Sequence, residues 1–104
     1  MPTPEYTAIK QKKNAGLPFK ANYMGGTGNP VYHLFPVLIG TSPPAGGGTA
    51  VERVLCYKHV GSSQGWRCFE VSDLKNIDAS NVSVPTIPPV DENRQNCVMT
   101  IDRT

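Results

Sequence analysis

The segment VYHLFPVLI, residues 31–39, decides how this chain is read. β-branched, aromatic and aliphatic side chains suit a pleated, half-buried strand, yet Pro36 stands in the middle. Proline has no N–H to give a ladder, so within a strand it belongs at an edge, a bulge or a bend. Small barrels turn their corners with sharply bent strands. Residues 31–39 therefore predict a small, strongly curved sheet.

The composition points the same way. Ten glycines and ten prolines fall among 104 residues, and charged residues make up only 17%, a balance that favours short strands and turns over a helix bundle. A chain this short has room for one domain and one modest core. The formal net charge of +2 is too slight a basic lean to indicate nucleic acid by itself. No window approaches the roughly 20 apolar residues of a membrane span, and MPTPEYTAIKQKK at the N-terminus lacks the apolar run of an export signal. The expectation is a cytoplasmic protein without a membrane partner. Cys56, Cys68 and Cys97 are odd in number and lack C-x-x-C spacing, so they are expected as reduced, mostly buried thiols, with neither a disulfide framework nor a metal site.

Towards the N-terminus, Thr3-Pro4-Glu5 reads as a helix start: a threonine cap, a proline where the missing N–H costs nothing, and a carboxylate at the positive helix end. The helix is predicted over about 4–14 with Gly16 as its stop, and Lys10, Lys12 and Lys13 form a solvated last turn. Leu17 to Met24 alternates as a strand, placing Phe19, Ala21 and Tyr23 on one face. GGTGNP then reverses the chain; a strand follows rather than a helix, so a hairpin loop is expected and not a phosphate cradle.

Towards the C-terminus, Gly40 to Gly48 reads as a connector. Strands are predicted over Ala50–Val60 and Trp66–Val71, separated by GSSQG. SDLKNI suits one helical turn capped by Ser72. From residue 79 a proline-rich crossing begins, and Asn96 to Ile101 forms either a closing strand or a loose end. The sum is a single, mainly β domain over residues 1–104: an N-terminal helix and a small, bent, partly open barrel of about five strands over about 17–78, followed by the crossing.

In GWRCFEV, residues 65–71, an arginine stands between two aromatics. If Val60 opposes Trp66, antiparallel pairing sets His59 against Arg67, Tyr57 against Phe69 and Leu55 against Val71. Arg67 then sits at the rim of an apolar face. There it either lays its stem over neighbouring rings or offers planar, bidentate donors to a phosphate or carboxylate. Catalysis has little to stand on, because only His33 and His59 are available as bases, and Cys56 and His59 fall on opposite faces of their strand.

The order of motifs resembles the WYL domain. It runs from Ala8-Ile9 on a helix through Phe19-x-Ala21-x-Tyr23, a glycine turn, Leu34-x-Pro36-x-Leu38 and Arg53-Val54-Leu55 to Arg67-x-Phe69 and Asp73-Leu74. The resemblance covers about residues 6–77 and implies an Sm-like, SH3-type β-barrel. It also implies a regulatory module whose basic and aromatic residues hold nucleotide-like or nucleic-acid ligands. Tyr23 and Arg67 match the family's tyrosine and arginine. The namesake tripeptide is Arg53-Val54-Leu55 here, and two family arginines fall on Tyr32 and Asp73, leaving His33, Lys20 and Lys58 as substitutes.

The candidate residues follow. Arg67 and His59 are expected to contact an anion, with His33 as a further cation; Tyr23, Tyr57 and Trp66 offer stacking surfaces, and Lys20 and Lys58 offer charge to a backbone. The expected function is a non-enzymatic regulatory module for a nucleotide or single-stranded nucleic acid, with no cofactor. The alternative is a protein-interaction domain that forms homo-oligomers or serves as an accessory subunit.

Overall fold

The computed structural model describes residues 3–43, 46–58, 60, 64–84, 86–87 and 97–104. Helix α1 (Pro4–Ala15) starts where its sequence says it should. Thr3 is extended and its side chain accepts from the Tyr6 N–H, while Gly16 closes the helix at φ 68°, a left-handed conformation that glycine adopts without strain. Tyr6 and Ile9 are its buried residues.

Five strands form the main antiparallel path: β1 (Phe19–Tyr23), β2 (Val31–Ser42), β3 (Val51–Lys58), β4 (Gly65–Glu70) and β5 (Leu74–Ala79), in the order β4-β3-β2-β1-β5. A short sixth strand, β6 (Thr100–Ile101), pairs with β2 at Gly40 and Thr41, beyond the stretch that β1 occupies. β4 and β5 are the two ends of the path, yet only the 3-10 turn Val71–Asp73 joins them. Three residues of that geometry span about 6 Å. The sheet must therefore curl until its two ends approach, and the result is a mainly β, partly open fold.

Pro36 produces the bend. The β2–β3 register shifts between Pro36 and Leu38, a one-residue bulge of the kind that bends a strand and raises its twist. Leu34 and Ile39 are five apart and would point to opposite faces of a regular strand. Past the bulge both enter the main core, with Ile9, Phe19, Val54, Phe69 and Leu74, while Leu38 turns to the other face. That second face carries a smaller cluster of Leu38, Leu55 and Val98, flanked by Trp66, Cys97 and Ile101.

Several expectations are corrected. The β3–β4 hairpin pairs Tyr57 with Trp66, Cys56 with Arg67 and Val54 with Phe69, three residues away from the expected register. An odd shift exchanges faces, and this one lets Val54, Cys56 and Phe69 all be buried against the main core. SDLKNI does not make a capped helical turn; after the 3-10 turn it extends as β5, with Leu74 opposite Tyr23. Pairing along the free edge of β1 outweighs the local helical signal. β1 begins at Phe19, leaving Leu17 and Met24 outside it and exposed. β2 runs on to Ser42, into the stretch expected as connector. The cysteines are corrected too: Cys68 and Cys97 form a disulfide with Cα atoms 6.3 Å apart, and only Cys56 is a free, buried thiol. No helix among the described residues is long and apolar enough to cross a membrane.

Candidate anion-binding rim

Alternation along the paired strands sorts the candidate residues between the two faces. On the inner face, Phe19 opposes Leu34 and Ala21 opposes Tyr32, so Tyr32 and Tyr23 continue the apolar row beyond these core residues. On β3 and β4, Lys58 follows Val54 and Cys56, and Arg67 precedes Phe69, on that same face. Tyr23, Tyr32, Lys58, Arg67 and Phe69 thus gather at one end of it.

The rings interlock. Tyr23 and Tyr32 stack with centroids 5.5 Å apart and planes 21° apart, and Phe69 meets Tyr23 edge-on at 5.2 Å. Lys58 Nζ lies 4.4 Å from the centroid of Tyr32, within the reach of a cation–π attraction. Opposite Lys58 stands Gly65 at φ 143°, and a Cβ there would come within 3.6 Å of Arg67 Nη1. The absent side chain leaves space that the guanidinium borders. Arg67 Nη1 donates to the Trp66 carbonyl at 2.9 Å, which fixes one of its five donors and its direction. Two cations on diagonal positions of one hairpin, beside a platform of tyrosines, can grip a phosphate and shelter an attached ring.

The other candidates lie elsewhere. Tyr57 and Trp66 meet edge to face at 5.2 Å on the outer face, where Trp66 packs against the Leu38–Leu55–Val98 cluster. Lys20 and His33 oppose each other on β1 and β2. His33 Nδ1 is hydrogen bonded to Ser80 Oγ at 2.7 Å, and Lys20 lines a cavity of about 270 Å³ with Asn22, Asn76 and Asp78. His59 lies outside the described residues. Two members of the rim were not among the expected site residues: Tyr32, which shares its strand parity with Leu34, and Phe69, which shares its parity with Arg67.

A larger cavity of about 600 Å³ opens between the start of α1 and β3, lined by Thr3, Tyr6, Thr41, Glu52, Ser72 and Asp102 among others. Its acids are already engaged. Glu52 accepts from the Thr3 N–H at 3.1 Å and from its hydroxyl at 2.7 Å, while Asp102 accepts from the Tyr6 hydroxyl at 2.7 Å and pairs with Lys10 at 3.1 Å. Burial, reinforced by the bond to Asp102, pushes the Tyr6 phenol above its ordinary range. The hydrogen bonds from Thr104, with that from Tyr6, hold the Asp102 carboxyl below the usual carboxylate range. Among the described residues no three His, Cys, Asp or Glu side chains gather as a metal site requires.

Compared with protein-family models, curated proteins and solved structures, the chain matches none.

Proposed function

We propose that the protein is a non-enzymatic regulatory module that binds a phosphate-bearing ligand, a nucleotide or a single-stranded nucleic acid, at the rim formed by Lys58, Arg67 and the Tyr23–Tyr32 stack. One observation carries this reading: Lys58 is poised over Tyr32, itself stacked on Tyr23, with Arg67 on the same face next to the gap at Gly65. Phosphate oxygens take the two cations, and a base takes the aromatic platform, a division of labour that needs no sequence readout. The resemblance to WYL domains supports the reading at Tyr23 and Arg67 and a role as part of a regulator; a cytoplasmic location belongs to the same proposal.

The test is a titration of the full chain with labelled single-stranded oligonucleotides and with mononucleotides at low and moderate salt. Binding that weakens steeply with salt, and is about tenfold weaker in Arg67→Ala, is the expected result. Absence of binding at low salt, together with a dimer mass in light scattering, would transfer the function to self-association.

A further inference from the structure

The C-terminal segment Cys97–Thr104 lies across the end of β2 and against α1. Ser42 Oγ donates to the Cys97 carbonyl and accepts from the Met99 N–H at 3.0 Å. The Met99 and Asp102 amides donate to the carbonyls of Thr41 and Ile39 at 3.1 and 2.7 Å. Asp102 then receives Tyr6 and Lys10, and Asn14 Nδ2 donates to the Thr104 carbonyl at 3.2 Å. Val98 is the one buried side chain in the segment, and no residue of the segment belongs to the main core cluster. The segment is a strap fastened at its near end by the Cys68–Cys97 bond. Cys68 is exposed on β4, at one end of the strand order, whereas Cys97 is half-buried.

We propose that the Cys68–Cys97 disulfide is a redox latch, and that a dithiol reductant releases the strap while the main core stays folded. A reductant thiolate bonds to the accessible Cys68 sulfur, the Cys68–Cys97 bond breaks, and Cys97 leaves as a thiolate that takes a proton from water. The reductant's second thiol then displaces Cys68, so the protein gains two thiols and the reductant becomes a disulfide. Exposed disulfides are the labile ones, and in a reducing compartment a disulfide is typically a transient, sensing one. Release removes Asp102 from the wall of the larger cavity. It also frees Lys10 and Lys13 from the acceptors that Asp102 supplies, and uncovers Leu38 and Leu55.

The experiment is amide hydrogen exchange on the full chain, oxidised and then treated with dithiothreitol, with Cys68→Ser and Cys97→Ser alongside. The latch predicts that Met99 and Asp102 lose protection about tenfold or more on reduction while amides of β1–β3 keep theirs. Both serine variants should behave as the reduced protein under either condition, and thiol labelling should gain two reactive cysteines on reduction while buried Cys56 stays unlabelled. Three results would overturn the proposal: unchanged protection at Met99 and Asp102, simultaneous loss across the core, or an oxidised sample that contains no Cys68–Cys97 bond. The readout involves no ligand, so its failure is separate from failure of anion binding.

Discussion

Tyr23 and Phe69 belong to strands separated by two others in the sheet order, yet their ring centroids lie 5.2 Å apart. A flat sheet with strands about 4.8 Å apart would hold them roughly 14 Å apart. The curl that begins at Pro36 and is completed by the three-residue link from β4 to β5 closes this distance. In doing so it turns a row of core aromatics into a platform beside Lys58 and Arg67.

Substitutions on the two faces should therefore separate binding from stability. Arg67→Ala and Lys58→Ala are each expected to weaken oligonucleotide binding about tenfold at low salt, and to reduce the dependence of log affinity on log salt by about 1. Tyr57→Ala should leave affinity unchanged while lowering stability by about 1–2 kcal/mol, because its half-buried ring packs edge to face on Trp66 on the outer face. Fluorescence anisotropy across a salt series and urea unfolding of the same variants check both halves. Equal binding losses for Arg67→Ala and Tyr57→Ala would sink the assignment of faces.

Gly40 admits β6. A Cβ at this position would lie 1.9 Å from the Thr100 carbonyl oxygen, so Gly40→Ala is expected to displace the β2–β6 pairing and to cost about 2 kcal/mol. Gly46 has open space around it but sits at φ 85°, and alanine there should cost about 1 kcal/mol through backbone strain alone. Urea midpoints of the two variants give the comparison, and a larger loss at Gly46 would contradict the close approach.

Tyr6 and Asp102, joined by a hydrogen bond, give stability two pH limits of opposite sign, Tyr6 chiefly through its burial and Asp102 chiefly through its hydrogen bonds from Thr104. Asp102 has its folded-state pKa lowered, so its contribution is present above the unfolded value of about 4 and disappears as pH falls below it. Tyr6 is raised instead; its contribution is complete below the unfolded value of about 10 and disappears as pH rises beyond it. Asp102→Asn should flatten the acid limb of a stability–pH profile, and Tyr6→Phe the alkaline limb. Thermal melts from pH 2 to pH 11 read both, and unchanged limbs in both variants would contradict the pairing.

Truncation of Leu34, which is fully buried in the main core, should cost about 3 kcal/mol as Leu34→Ala. Val98→Ala is buried too, but in the smaller outer cluster. It should cost about 1–2 kcal/mol and loosen the strap before the core. Hydrogen exchange at Met99 compared with global unfolding separates the two effects.

The parts of this protein that were legible in the sequence are those set by a residue's own backbone chemistry. Thr3 caps the helix and Gly16 ends it because an extended residue with a side-chain acceptor and a left-handed residue are needed at those points. Pro36 marks the bend because it has no N–H, and the density of glycine and proline limits the chain to a mainly β fold. What only the tertiary structure decided depends on pairing between distant segments. The β3–β4 register follows from which residues are buried together, and a shift of three residues moved Tyr57 to the outer face, beside Trp66, while keeping Arg67 beside the aromatic row. Local helical preference at Ser72–Ile77 yielded to the free edge of β1. Cys68 and Cys97 meet across 29 residues because the C-terminal segment folds back onto β2, a closure that residue spacing along the chain does not encode.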